Sequence, residues 1–402
     1  MQFLFLSLLV LSALLQLPLV YPALAFIRPF FVLAGITGFL WFLGRRKGHI
    51  KASRSEAIIR TAVLLLAFFE VFPALFHLDL GLSLETGYPW LAVVVVFCLM
   101  LGTIKTEEQI PKLLLAVPVA LAFIMILAQL TYSYAFETLT EGRLGAYGMY
   151  RGANDYGLIL TCSVPILLKL AEYYENRLLK IALYCMVPFC IFHIYLTQSR
   201  GSLIGLSLVL LLSVRTKKAI PPIVTKCLIC LFVVPMILGA VMMVASSRGD
   251  ESLAGSDVSA ESRLDAWAAC GRMLAANPLG MGFDQAKEYI KDYGLDIKMH
   301  PHNTYVKVAA EAGIPGFIAL VVMLWVATSK LMKLEYHYRI VSPDRKVAIV
   351  QALLFSLIAF MVNTSFSQKE NEWLLYVLLG CSAKLISIES SVTETKAEQQ
   401  WT

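Results

Sequence analysis

The sequence predicts an all-α polytopic membrane protein with about twelve transmembrane helices. Of its 402 residues, 58% are hydrophobic and only 15% are charged, whereas a soluble domain carries about 25% charged residues. Apolar runs close to the roughly 20 residues that cross a bilayer as a helix recur from one end of the chain to the other. We therefore interpret residues 1–402 as a single integral membrane domain.

The apolar runs define the predicted spans one by one. The first run is retained in this interpretation, because it lacks the basic start of a signal peptide and is longer than a signal-peptide core. The second and eighth runs are short for a full crossing. The predicted spans cover roughly residues 3–25, 29–44, 57–76, 89–104, 111–131, 153–171, 181–198, 201–214, 225–246, 304–329, 347–366 and 372–388.

Lysine and arginine concentrate in alternate loops, and this pattern predicts the orientation because cytoplasmic loops are the basic ones. Both termini are then cytoplasmic. The largest loop on the opposite, external side is residues 246–301, in which the spacing of apolar residues predicts a helix from Ser259 to Ala276. The net charge of +6 comes from the short loop clusters, so we expect membrane lipids and no nucleic acid as partners.

Three residues that could carry chemistry fall on the external side. Arg200 lies at the tip of a helical pair, Arg263 lies on the external loop helix, and His302 lies where that loop re-enters the membrane. An arginine at membrane depth is costly unless it is used, and its guanidinium fork suits a phosphate. His302 can accept a proton near neutral pH and is the natural general base of the set.

Each of these residues also has a structural interpretation. Arg200 could reach external lipid headgroups, Arg263 could stack on Trp267 or stay solvated, and His302 could be an ordinary polar loop residue. Asn303 stands where a helix N-cap is expected. Lys307 and Glu311 lie four residues apart on the following helix and could pair with each other.

A glycine- and tyrosine-rich external loop between Arg143 and Arg151 could enclose a sugar or polyprenyl substrate, or it could be an ordinary mobile loop. The sequence has no phosphate-binding glycine loop, no histidine cluster with metal-ligand spacing and no exposed acidic pair of the Asp-x-Asp type. We therefore expect no metal and no cofactor, and neither ATP nor a nucleotide sugar as the energy source.

Several short motifs together resemble the bacterial O-antigen ligase and O-antigen polymerase family. His302-Asn303 is followed by nine residues, Gly313, two residues and Gly316, as in the ligases of this family. The other matching motifs are Thr197-Gln198-Ser199-Arg200-Gly201, Arg263 with Trp267, and Asn277-Pro278-Leu279-Gly280-Met281-Gly282. The resemblance covers residues 197–316, and the many-helix plan extends it along the chain.

The resemblance implies a GT-C-like enzyme in the bacterial inner membrane, with its active site facing the periplasm. It implies metal-independent glycosyl transfer from a glycan on undecaprenyl diphosphate to lipid A-core or another hydroxyl acceptor. His302 would be the general base, and Arg200 and Arg263 would stabilise the leaving diphosphate. We expect the remaining substrate contacts to come from Asn303, Trp267, Arg143 and Arg151.

Three other functions stay open at this point. Members of the same family polymerise repeat units or transfer glycans to protein hydroxyls. A transporter or flippase for a lipid-linked glycan is the alternative from another class, and it would predict internal repeats and ionisable residues near the bilayer midplane. The candidate residues instead gather at one face, which favours an enzyme.

Overall fold

The structure is a computed structural model that describes residues 1–44, 52–76, 80–134, 142–215, 260–295, 298–341 and 345–399. Within these residues it is all-α, as predicted. The α-helices are α1 (Gln2–Leu15), α2 (Leu17–Val20), α3 (Ala23–Ile27), α4 (Pro29–Gly44), α5 (Arg54–Phe76), α6 (Leu80–Thr103), α7 (Gln109–Leu114), α8 (Ala116–Tyr134), α9 (Ala153–Tyr173), α10 (Arg177–Thr197), α11 (Arg200–Arg215), α12 (Ala260–Ala276), α13 (Ala286–Tyr289), α14 (Thr304–Glu311), α15 (Gly313–Val341), α16 (Lys346–Asn363) and α17 (Trp373–Gln399). Two 3₁₀ turns cover Gly148–Tyr150 and Ile290–Tyr293.

Eight helical segments of the described chain are long and apolar enough to cross a membrane, which confirms the polytopic class. They are Gln2–Val20, Ala23–Gly44, Gln109–Thr131, Ala153–Tyr173, Arg177–Thr197, Gly313–Ile340, Lys346–Asn363 and Trp373–Val392. Two further apolar helices, Gly87–Thr103 and Arg200–Val214, are shorter. The predicted ninth span, at residues 225–246, lies outside the described residues.

The predicted tenth span, at residues 304–329, is interrupted in the structure. The short α14 ends at Glu311, and a separate long helix, α15, begins at Gly313. Gly313 has a φ of +67°, and a Cβ atom there would lie 2.3 Å from the carbonyl oxygen of Pro278. The break therefore comes from the close approach of the segment around Pro278, which the hydropathy of residues 304–329 does not record.

Helices α9 and α16 pack against each other at the centre of the bundle, and α9 also packs on α10 and α11. Ser356 of α16 donates a hydrogen bond to the carbonyl oxygen of Cys162 in α9, at 2.7 Å. By contrast, α4 exposes large apolar side chains such as Phe39 and Phe42. A helix that is apolar on its outer surface is suited to contact with lipid.

The helix ends that carry the predicted site residues meet at one end of the bundle. A Cβ atom on Gly201, in the first turn of α11, would lie 2.8 Å from the Cβ of Phe366, just after α16. The amide of Thr304, which starts α14, donates to the carbonyl oxygen of Thr364 at 2.8 Å. The starts of α11 and α14 are thus both fixed on the segment that follows α16.

Candidate active site

The histidine segment, residues 300–303, is held between α12 and the turn that follows α16. Trp267 of α12 donates its indole N–H to the carbonyl oxygen of Pro301, at 2.7 Å. On the other side, the Thr304 hydroxyl donates to the carbonyl oxygen of Ser367 at 2.9 Å and accepts from the amide of Lys369 at 2.9 Å. His302 is therefore fixed from both sides.

His302 itself has a φ of +48°, in the left-handed region that non-glycine residues rarely adopt. A residue held there costs about 1 kcal/mol or more, and such conformations persist only where the surroundings enforce them. The Trp267 and Thr304 contacts supply that enforcement. The strained conformation is one reason to regard His302 as a site residue.

Asn303 is the N-cap of α14, as its position in the sequence predicted. Its side-chain oxygen accepts hydrogen bonds from the amides of Tyr305, at 2.9 Å, and Val306, at 3.2 Å. These bonds satisfy two amides that have no partner within the helix. Its predicted contact with a substrate stays a prediction.

The electrostatic surroundings of His302 are cationic. Burial and then the charges of Arg263, His300 and Arg143, in that order of size, together lower its pKa to about 4. The imidazole is consequently neutral at physiological pH and can accept a proton. The structure thus brings His302, Arg263 and Arg143 into one group, which we call the arginine–histidine cluster.

Arg143 reaches this cluster from the glycine-rich loop. Its Nε atom donates to the carbonyl oxygen of Thr197 at 3.0 Å, and its Nη2 atom donates to Asn154 Oδ1 at 2.8 Å. These bonds attach the loop to the end of α10 and the start of α9. Asn154 therefore orients Arg143. The N-cap position of α9 is occupied by Gly152.

Arg200 and Arg151 are the two remaining arginines predicted for the site. Arg200 is the first residue of α11, three residues after Thr197, and follows Gln198, which has a φ of +50°. This left-handed turn and the packing of Gly201 on Phe366 place Arg200 at the same end of the bundle as His302. Arg151 is exposed on the glycine-rich loop. Substrate contacts for both residues stay predictions.

The motif at residues 277–282, which follows α12, packs against the end of α14. The amides of Met281 and Gly282 donate to the carbonyl oxygens of Ala310 and Glu311, at 3.1 and 2.8 Å. A Cβ atom on Gly280 would lie 2.1 Å from the carbonyl oxygen of Glu311. The nine-residue spacing between Asn303 and Gly313 is thus the length of α14 with its closing turn.

The sequence predicted only part of a buried cluster of charged side chains close to the histidine segment. The predicted pair is present, because Lys307 Nζ lies 2.9 Å from Glu311 Oε2. Lys307 also forms an ion pair with Glu370, and Glu70 of α5 is fully buried close to both. We call Glu70, Glu311 and Glu370 with Lys307 the carboxylate cluster. The position of Glu70 inside an apolar run was its only signal in the sequence.

The carboxylate cluster connects four parts of the chain. Glu311 accepts hydrogen bonds from the amides of Asp284, at 3.0 Å, and Ala286, at 3.1 Å. The carbonyl oxygen of Glu70 accepts from the amide of Phe283 at 2.8 Å. The cluster therefore links α5, the segment before α13, α14 and the turn after α16.

In the described part of the chain, no group of three or more His, Cys, Asp or Glu side chains is arranged to hold a metal ion. The groups suited to an anionic ligand are instead the guanidinium groups of Arg263, Arg143 and Arg200, which match phosphate oxygens in geometry and charge.

Comparison with known proteins gives one family for this region and no match among curated proteins. Residues 185–321 match the O-antigen ligase family. The matched stretch contains Arg200, Arg263, Trp267, His302 and Asn303, whereas Arg143 and Arg151 precede it. The family resemblance inferred from the short motifs is therefore confirmed over residues 185–321, in a chain whose described helices make it a polytopic membrane protein.

Proposed function

We propose that this protein is an O-antigen ligase of the bacterial inner membrane. It moves a glycan from undecaprenyl diphosphate to a hydroxyl of lipid A-core during lipopolysaccharide assembly. The observation that carries the proposal is the arginine–histidine cluster, in which a neutral His302 lies near Arg263 and Arg143. It lies in a bundle of apolar helices, largely within a stretch that matches the O-antigen ligase family.

In this reaction the acceptor oxygen forms a bond to the anomeric carbon of the glycan. The bond from that carbon to the diphosphate oxygen breaks, and its electron pair leaves with the diphosphate. His302 takes the proton of the acceptor hydroxyl. Arg200 and Arg263 hold the diphosphate and stabilise its growing charge, while Arg143, Arg151, Trp267 and Asn303 line the substrate site.

The proposed orientation follows from the basic loops. Both termini are cytoplasmic, and the site faces the periplasm beneath the 246–301 loop. A donor lipid enters sideways from the membrane, and its polar diphosphate lies at the depth of the helix ends. No ATP is needed there, because the sugar–diphosphate bond supplies the energy and the leaving group departs as a stable anion.

The test is release of undecaprenyl diphosphate by the purified protein from a lipid-linked glycan, with and without lipid A-core. We expect release that requires the acceptor, falls about a hundredfold or more in His302→Ala, and survives addition of a chelator. His337→Ala is the matched control, because His337 is exposed on α15.

Other outcomes would replace the proposal. Chain growth without lipid A-core would indicate a polymerase, and transfer to a protein hydroxyl would indicate a protein ligase. No release with any acceptor would favour a transporter. A strict need for added divalent metal would contradict the role given to the arginines.

A further inference from the structure

A second histidine, His300, is close to His302 and is also within range of the charges of two carboxylates, Asp284 and Glu370. The two imidazole rings are 6.4 Å apart between centroids, at an interplanar angle of 64°. His300 is partly buried, and its Nδ1 atom is buried without a hydrogen-bond partner among the residues that the structure describes. Buried polar atoms of this kind commonly bind an ordered water, and a water bound to His300 Nδ1 can carry a proton between the two neighbouring rings.

The surroundings of His300 differ from those of His302. Burial lowers the pKa of His300, whereas Asp284 and Glu370 raise it and Lys287 and Lys307 lower it. Two carboxylates are therefore close enough to stabilise a positive charge on His300. Glu70 and Glu311 are close to Glu370, whereas the charged side chains closest in effect to His302 are Arg263 and Arg143.

The carboxylate cluster has the capacity to take up a proton. It contains three carboxylates and one ammonium, all buried. Both oxygens of Glu70 and the Oε2 atom of Glu370 have no hydrogen-bond partner within the described chain. Excess negative charge in a buried place is costly, and binding a proton removes that cost. Asp284, whose side chain is 44% exposed, gives a route onward to water.

We propose that His300 accepts from His302 the proton of the acceptor hydroxyl and passes it to the carboxylates of Glu370 and Asp284. This inference rests on the proposed function. After the acceptor oxygen has bonded to the sugar and the diphosphate has left, the proton moves from His302 through a water to His300 and then to a carboxylate. His302 returns to its neutral form, and the positive charge no longer remains beside the arginines.

The kinetic test compares His300→Ala with wild type and with His337→Ala. We expect kcat of His300→Ala to fall at least about tenfold with little change in KM, because a lost proton path slows turnover without loosening substrate binding. Added imidazole should restore part of that kcat, since it can carry the proton, and should leave wild type and His337→Ala unchanged. An unchanged kcat, or a loss that imidazole does not restore, would overturn the relay.

A second measurement does not depend on glycosyl transfer. Exchange of the imidazole C2 hydrogen with deuterium, followed by mass spectrometry, gives the pKa of His300 in wild type and in Glu370→Gln. We expect a lower pKa in Glu370→Gln, because a neighbouring negative charge has been removed while the side-chain shape is kept. The same pKa in both proteins would contradict the proposed contact even if the protein catalyses another reaction.

Discussion

Two groups of charged side chains lie near the start of α14, one with an excess of positive charge and the other with an excess of negative charge. The arginine–histidine cluster has Arg263 and Arg143 acting on one neutral imidazole, whereas the carboxylate cluster has three carboxylates around Lys307. The carboxylate cluster is completed by the chain itself, through the lysine and the amides of Asp284 and Ala286. The arginine–histidine cluster has excess positive charge near the proposed substrate site. From this difference we infer that the carboxylate cluster maintains the fold and that the arginine–histidine cluster binds an anion.

The largest expected effect comes from removing the ammonium at the centre of the carboxylate cluster. Lys307→Met leaves three buried carboxylates without their cation, and breaking a buried pair in this way costs about 3–5 kcal/mol. We expect a large fall in the free energy of unfolding, measured as a lower thermal midpoint or loss of monodisperse protein in detergent. The variant should lose stability and activity together.

The matched control is Lys333→Met, because Lys333 is exposed on α15. A single exposed lysine contributes little to stability. If Lys307→Met unfolded at the same temperature as Lys333→Met, the carboxylate cluster would not be the structural element described here.

A smaller effect, confined to activity, is expected when lysine replaces an arginine of the proposed site, because the positive charge is kept and the forked guanidinium group is lost. Arg263→Lys and Arg200→Lys should each lower kcat at least about tenfold, because an ammonium cannot make paired hydrogen bonds to phosphate oxygens. Their thermal midpoints should stay close to that of wild type. The measurement is undecaprenyl diphosphate release beside a thermal melt of the same preparations.

Arg177→Lys provides the comparison for this pair, because Arg177 is exposed at the far end of α10. Turnover equal to wild type in Arg200→Lys would exclude a phosphate contact through its fork. A loss of stability instead of turnover in Arg263→Lys would mean that Arg263 maintains the fold and does not bind the diphosphate.

The sequence predicted the class of fold, because the length and polarity of each apolar run are local properties. It also predicted the Asn303 cap and the pairing of Lys307 with Glu311, since both involve residues within one helix. It did not predict the break at Gly313, which depends on a contact with Pro278 across the external loop.

The same reasoning explains the partial prediction of the site. His302, Arg263 and Trp267 stood out because a motif or a position at a membrane boundary marked them. Glu370 lies 63 residues from Lys307 along the chain, and nothing near it in the sequence indicates its buried partner. The role of Asn154 in holding Arg143 was hidden for the same reason, because the two side chains meet only when the loop folds onto α10.

The smallest expected effect is a shift of a pH profile, and it tests whether an anion completes the arginine–histidine cluster. In the free protein the pKa of His302 is about 4, below its ordinary value of about 6.5. His302 is therefore a base above that pH and loses this role as the pH falls through about 4. The acid limb of kcat/KM, which reports the free enzyme, should lie there.

The acid limb of kcat should lie about one pH unit or more higher, because kcat reports the enzyme with its donor bound. A diphosphate among the arginines offsets the positive charges that disfavour the imidazolium form, and a nearby anion raises a histidine pKa by about one to three units. We expect this rise in the pKa of His302 to exceed the fall that further burial under the donor would cause. Arg143→Gln should move the kcat/KM limb upward as well, since one of the lowering charges is gone. If the acid limbs of kcat and kcat/KM lay at the same pH in wild type, the anion would bind away from His302. The cationic surroundings of His302 would then need another explanation.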